Sequence, residues 1–249
     1  MKSLIYYTLG YNIKYLPIIE LSLKTLHQYH PEEFDIMLLC DESMYDKCKE
    51  TLKNVKVISC KNSPTPEAAS MRKLDIFDYD IMGYDKVLFI DCDILIHTKI
   101  DSIMNGIINN EKLYVYTEYE DLKWHRDIYF SLSKYTNEQL EYLSTNKIYP
   151  FNAGLFGFVP SEIMKNHFSN IRQMIKTHVG KFFYEQSFMN VYFNLNNETI
   201  RDVITSANYK MHPKDDVNYE GTLVHFCGGV GDPVYKYPRI TRYINNYMN

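Results

Sequence analysis

Four short, almost unbroken apolar runs in the N-terminal part of this chain restrict its fold more than any other feature. They cover residues 4–8, 34–40, 55–59 and 86–90. A strand with one wet face alternates apolar and polar residues, whereas a strand covered on both faces reads as a continuous apolar run. Between the first two runs, Leu16, Ile19, Leu23 and Leu26 recur at helical spacing up to a stop at His30-Pro31. Between the last two, residues 67–82 predict a helix with Ala68, Met71, Leu74, Ile76 and Phe77 on its buried side. Doubly buried strands separated by helices predict an α/β fold, Rossmann-like, with a mainly parallel central sheet flanked by helices.

The second half is less regular. Residues 112–117, 155–159 and 223–227 predict strands, the last followed by a glycine-rich tail, and residues 163–178 and 186–193 predict helices. The polar, aromatic span 118–149 reads as helix or loop. No linker, repeat or low-complexity block divides the chain, which predicts one domain over residues 1–249.

Composition narrows the partners. A formal net charge of −4 with no basic stripe argues against a nucleic-acid binder. The 23 tyrosines read first as a compositional bias, and none is singled out as a modification site. Cys40, Cys48, Cys60, Cys92 and Cys227 are odd in number, scattered and free of any CxxC pair, which predicts neither a disulfide framework nor a zinc knuckle. They fit a reducing, cytoplasmic compartment. No run approaches the ~20 apolar residues of a transmembrane span, and the N-terminus lacks the pattern of a signal peptide. Oligomeric state is not legible, and a homodimer stays open.

The sharpest chemical signal is Val87-Leu88-Phe89-Ile90-Asp91-Cys92-Asp93. Carboxylates at i and i+2 point to one side of a strand, and open α/β sheets bind ligands beyond the carboxyl ends of their strands. Two like charges so close repel, and a divalent cation relieves them. Asp91 and Asp93 therefore read as holders of Mn²⁺ or Mg²⁺ against a diphosphate. Two alternatives stay open: a strand end turning harmlessly into solvent, and an aspartyl nucleophile like that of haloacid-dehalogenase-type phosphatases. The second is disfavoured, because three strand-like runs precede the motif and Ile94-Leu95 follow it.

Two further segments join it. In Val224-His225-Phe226-Cys227-Gly228-Gly229, a neutral imidazole suits Mn²⁺ beside two carboxylates, and the glycines let backbone amides approach phosphate oxygens. An ordinary half-buried histidine is the plainer reading. In Phe151-Asn152-Ala153-Gly154, and in Glu185-Gln186 with Asn190 beyond, Asn152 and Gln186 each offer donor and acceptor to sugar hydroxyls. Here the plainer reading is a turn after Pro150.

The order and spacing of these motifs over nearly the whole chain resemble the glycogenin and bacterial lipopolysaccharide galactosyltransferase family, retaining glycosyltransferases of the GT-A fold. Tyr6-Tyr7-Thr8-Leu9-Gly10-Tyr11 is similar to its first strand and loop, Ser22-Leu23-Lys24-Thr25-Leu26 to its first helix, and Arg72-Lys73-Leu74 to the basic step before its metal motif. Phe151-Asn152-Ala153-Gly154 resembles its donor-sugar segment, and Glu185-Gln186 its Asp-Gln pair. The resemblance implies a nucleotide-binding half near residues 1–100, a donor-sugar and acceptor half over 101–249, and hexosyl transfer from a UDP-sugar to an acceptor hydroxyl. It implies metal ligation by Asp91, Asp93 and His225, and catalysis by Glu185, Gln186 and Asn152. Thr8, Tyr11, Arg72, Lys73, Asp91, Cys92, Asp93, Asn152, Ala153, Gly154, Gln186, His225, Gly228 and Lys236 are then the donor-binding set, with Tyr11 against the base. The acceptor, whether glycan, protein or small molecule, is not identified, and the span with Trp124 and His125 is its expected side.

Three departures stand out. Leu9-Gly10 occupy a loop position where the family often has Asp, and Glu185 is a methylene longer than the Asp it replaces. The lysine that usually follows the His-Phe-x-Gly motif is missing: Gly231, Asp232 and Pro233 stand there, and Lys236 is the nearest replacement, with Lys210 and Lys214 behind it. That loss leaves a non-catalytic nucleotide- or carbohydrate-binding relative as the alternative.

Overall fold

In a computed structural model, which describes residues 2–31, 33–117, 136–177, 185–227 and 233–248, the four apolar runs are strands whose ends shift by at most one residue. They are β1 (Ser3–Leu9), β2 (Asp35–Asp41), β3 (Lys56–Cys60) and β4 (Lys86–Ile90), paired in parallel in the order β3-β2-β1-β4. Beyond β4 the direction reverses. Introducing β5 (Ile94–Ile96), β6 (Leu113–Thr117), β7 (Phe151–Phe158) and β8 (Thr199–Ile200), the sheet continues β4-β7-β6-β8. β7 runs antiparallel to both its neighbours, and β8 is parallel to β6. A second, three-stranded sheet sets β5 against β10 (Leu223–His225), with β9 (Tyr209–Met211) alongside.

Helices α1 (Leu16–Tyr29), α2 (Tyr45–Thr51), α3 (Pro66–Met71) and α4 (Asp101–Gly106) accompany the parallel half. Helices α5 (Asn137–Thr145), α6 (Glu162–Thr177), α7 (Glu185–Leu195) and α8 (Pro233–Tyr247) follow. The unbroken apolar runs are explained by two cores, one on each face of the sheet. Ile5, Tyr7, Leu88 and Ile90 join Ile19, Leu23 and Leu26 of α1 on one face. Their sequence neighbours Leu4, Tyr6, Val87 and Phe89 join Leu74, Phe156, Phe168 and Phe193 on the other. Period-two alternation inside a continuous apolar run thus fills both layers. Among the described residues no helix is long and apolar enough to cross a membrane.

Three expectations need correction. The helix expected over 67–82 is α3 followed by a tighter 3-10 turn, Arg72–Asp78. Arg72, Lys73, Leu74 and Ile76 are all buried along this turn although they point in different directions, because the arginine and the lysine find polar partners on one side and the apolar pair joins the core on another. The strand expected at 155–159 begins at Phe151, so the Asn-Ala-Gly stretch is strand and not turn. After β10 a fifteen-residue helix stands where a tail was expected. Ile240, Tyr243, Ile244 and Tyr247 gave its spacing in the sequence, masked by Pro238 in its interior.

Phe156 is fully buried and stacks on Phe89 with centroids 4.9 Å apart. Phe156→Ala is expected to destabilise the protein by about 3–5 kcal/mol, read as the shift of the urea unfolding midpoint.

Candidate active site

The site begins where β4 leaves the sheet. The Asp91 N–H donates to the Gly154 carbonyl at 2.8 Å, and the Ile94 N–H returns to the Asp91 carbonyl at 3.1 Å. That tight turn leaves Asp91, Cys92 and Asp93 on the carboxyl edge of the sheet. β10 then pairs with β5 so that His225 stands opposite Ile94, and the Phe226 N–H donates to the Asp93 carbonyl at 3.0 Å. Backbone register, more than any side-chain contact, carries His225 to the carboxylates. Its Nε2 lies 3.2 Å from Asp93 Oδ1 and 3.9 Å from Asp91 Oδ2.

The ligand atoms of Asp91, Asp93 and His225 lie within 4.8 Å of one another. Two carboxylate oxygens and an imidazole nitrogen suit Mn²⁺ or Mg²⁺. The surroundings fit a cation as well. A Cβ built on Gly154 would stand 2.5 Å from His225 Cε1 and 2.7 Å from Asp91 Oδ2, so only glycine leaves the three groups their place. The carboxylates also hold two lysines. Lys236 Nζ is 2.5 Å from Asp93 Oδ2, and Lys73 Nζ is 3.4 Å from Asp91 Oδ1.

These contacts divide the two aspartates. Burial pushes the Asp91 carboxyl above its ordinary value against the pull of Lys73. At Asp93 burial is outweighed by Lys236 and His225, which hold that carboxyl well below the usual range. His225 would lose basicity through burial, but Asp93 raises it to about 10. The opposed directions are the mark of groups set in one strong local field.

The expected donor-sugar residues sit one layer deeper. β7 departs from its ladder with β6, whose register jumps between Val115 and Tyr116. Side chains satisfy the freed backbone: Gln186 Oε1 accepts the Ala153 N–H at 2.9 Å, and Asn152 Oδ1 accepts the Gly154 N–H at 2.8 Å. Asn190 accepts the Phe151 N–H and donates to its carbonyl, clamping the strand to α7. Lys73 donates to the Ala153 carbonyl at 3.1 Å and pairs with Glu185 Oε1 at 2.6 Å. Burial opposes the Lys73 charge, yet Asp91 and Glu185 raise it to about 12. Glu185 Oε2 is buried and has no hydrogen-bond partner among the described residues.

A cavity of about 480 Å³ opens beside the acidic pair. Asp91, Cys92, Asp93 and Lys236 form one end; Thr8, Leu9, Gly10, Tyr11, Asn12 and Tyr15 line the β1 side, with Pro66, Ala69 and Ser70 of the α3 region opposite. Tyr11 stands at the edge, 53% exposed, with its backbone in the left-handed region (φ 63°). Its N–H donates to Asp41 Oδ2 at 2.7 Å, which anchors that uncommon conformation. Gly10 is required by packing, since a Cβ would meet Ala69, Ser63 and Asp41 at 2.9–3.2 Å.

Arg72 is not among the residues that line this cavity. It is buried against Asp41 Oδ1 at 2.5 Å, the Lys61 carbonyl and Ser63 Oγ, so it braces the β1 loop through Asp41. Lys73, Gly154 and His225 touch the acidic pair, Asn152, Ala153 and Gln186 reach it only through those neighbours, and none of the six lines the cavity itself. Gly228, and the expected acceptor residues Trp124 and His125, lie outside the described residues. Asn12, Tyr15, Pro66, Ala69 and Ser70 line the cavity without having been expected there, and two residues behind it carried no signal in the sequence either. Asp41 ends an apolar strand without a motif, and Tyr209, whose hydroxyl meets His225 Nδ1, is one tyrosine among many.

The family model for glycosyl transferase family 8 matches residues 8–230. The chain belongs to glycosyl transferase family 8. Glycosyl transfer is therefore its class of chemistry. Solved structures agree in fold. The galactosyltransferase LgtC, in complex with donor and acceptor sugar analogues, is 15% identical with a TM-score of 0.64, covering 99% of this chain and 96% of that one. An active-site mutant of LgtC gives 0.63 at 15% identity, over the same shares. The bifunctional glycosyltransferase WbbM, in its apo structure, gives 0.63 at 14% identity, covering all of this chain and 52% of that one. A comparison with curated protein sequences finds no match. Family 8 membership sets the aspartyl-phosphate reading aside.

Gly154→Ala is expected to cut sugar transfer by at least about tenfold, an activation cost of ~1.4 kcal/mol, because neither His225 nor Asp91 can yield. Gly157→Ala presses on the end of the Ile107 side chain, which can rotate away, and is expected to keep transfer within about threefold. Nucleotide release from donor, measured for both variants, makes the comparison.

Proposed function

We propose that this family 8 glycosyltransferase moves a hexose from UDP to an acceptor hydroxyl, with retention of configuration and with Mn²⁺ (or Mg²⁺) held by Asp91, Asp93 and His225. The observation that carries this reading is the cavity with paired carboxylates and a lysine at one end, the His225 imidazole behind those carboxylates, and an exposed tyrosine at the other end. Such a cavity suits a nucleoside diphosphate lying with its base against Tyr11 and its phosphates toward Asp91 and Asp93. The donor and acceptor analogues bound to LgtC support the same class of ligands.

When bound, the divalent ion supplies Lewis-acid neutralisation of the charge that grows on the departing diphosphate. The remaining work falls to side chains. Lys236, already beside Asp93, is the cation that answers for the lysine missing from the His-Phe-x-Gly motif. Lys73 holds Glu185 and Asp91 at once, so both carboxylates are fixed before substrate arrives. The unpartnered Glu185 Oε2 is an acceptor for a hydroxyl of the donor sugar. With its other oxygen neutralised by Lys73, Glu185 is a poor nucleophile. Attack by the acceptor hydroxyl on the same face as the leaving diphosphate is therefore favoured over a covalent sugar-enzyme intermediate. Asn152 and Gln186 shape the donor-sugar floor through the strand they hold.

The test is UDP release from a panel of UDP-hexoses with Mn²⁺. Asp93→Asn is expected to lower the rate by about 10²–10³-fold, in the range for loss of a key electrostatic group. Turnover unchanged by this substitution or by chelation of metal would contradict the reading. Metal-dependent UDP binding without turnover of any hexose would make the chain a non-catalytic relative.

A further inference from the structure

Tyr209 lies outside every motif, yet its hydroxyl joins the metal end of the site to the donor-sugar end. It is fully buried on β9, its ring edge-to-face with Tyr116 at 4.9 Å. Its oxygen bonds Asn152 Oδ1 at 3.2 Å and meets His225 Nδ1. The direction of these bonds follows from their acceptors. Asn152 Oδ1 already accepts the Gly154 N–H, which fixes it as the carbonyl oxygen. The Tyr209 proton must therefore point to Asn152, leaving the phenol oxygen as acceptor. His225 then carries a proton on Nδ1 and donates it to Tyr209. Nε2, which lies 3.2 Å from Asp93 Oδ1, is the nitrogen left for a cation. A metal-bound histidine commonly has its second nitrogen held in this way, usually by a carboxylate or carbonyl. Here the holder is a phenol whose own proton is committed to the donor-sugar strand.

We propose that Tyr209 is a positioning residue: it sets the tautomer and aim of His225 for the metal, and ties that aim to Asn152. The inference rests on the metal reading given above. Any shift of Asn152 on filling the sugar site is felt by His225 through a single hydroxyl, so metal affinity and sugar binding are coupled. Tyr209→Phe deletes that hydroxyl and keeps the ring packed against Tyr116.

The test measures Mn²⁺ binding to wild type and Tyr209→Phe by the electron paramagnetic resonance signal of free Mn²⁺, alongside UDP release against Mn²⁺ concentration. Tyr209→Phe is expected to bind Mn²⁺ about 10–100-fold more weakly, while UDP release at saturating Mn²⁺ recovers to within about threefold of wild type. Equal Mn²⁺ affinity in the two proteins overturns the role of Tyr209 and leaves the metal reading intact. Wild type that takes up no Mn²⁺ overturns the metal reading and this role with it. Lowered turnover that no Mn²⁺ concentration restores makes Tyr209 a packing residue only. Should the variant fail to fold, the wild-type protein loaded with Mg²⁺ decides the matter by ¹H–¹⁵N spectroscopy, with His225→Gln to assign the signal. An Nδ1–H resonance slow to exchange supports the proposal, and its absence overturns it.

Discussion

Two carboxylates held at the end of a fully buried strand are the constraint around which this site is built. Asp91 and Asp93 cannot move apart, because their backbone is fixed by the Gly154 carbonyl on one side and by the pairing of β5 with β10 on the other. Like charges at this spacing demand cations. Lys73 arrives from the 3-10 turn, His225 from β10 and Lys236 from α8, so three distant parts of the chain converge on one electrostatic requirement. The two lysines are not equivalent. Lys73 is shared with Glu185 and ties α7 and β7 to Asp91, whereas Lys236 faces the cavity.

The departure of β7 from its ladder is the second device. A regular strand would give Phe151–Gly154 hydrogen bonds to the neighbouring strands β4 and β6 alone. Instead Asn190 and Gln186 of α7 take its N–H groups. The proposed donor-sugar floor is therefore hung from a helix as well as from the sheet, and Gly154 lies close enough to Asp91 and His225 to exclude any side chain. On the other flank, Arg72 and Asp41 do for the Tyr11 loop what α7 does for β7: each supplies polar partners to backbone outside regular pairing.

The parallel half of the fold was legible because a doubly buried strand leaves a continuous apolar signature, which β1, β2 and β4 carry, while β3 at the sheet edge is only partly buried and its run is correspondingly broken by Lys56 and Ser59. Asp91, Asp93 and His225 were legible because their strands announce them. Other parts were hidden for physical reasons. The break at Arg72 depends on tertiary partners, Asp41 for the arginine and Glu185 for the lysine, which local spacing does not record. Residues 151–154 look like a turn because strands with side-chain partners escape the usual pairing signature. α8 was concealed by Pro238 despite good apolar spacing. Asp41 and Tyr209 act through a single hydrogen-bonding group each, and one group makes no pattern in sequence.

The central claim is that a divalent cation and UDP occupy the site together. Thermal unfolding with UDP, GDP or ADP, each with and without Mn²⁺, tests it most directly. A ligand at a hundred times its dissociation constant adds about 2.7 kcal/mol, or roughly 5–10 °C for a chain of this size. The account predicts a rise of that order with UDP and Mn²⁺ together, larger than the two separate rises combined. An equal rise with UDP in the absence of metal, or no rise with any nucleotide, would contradict it.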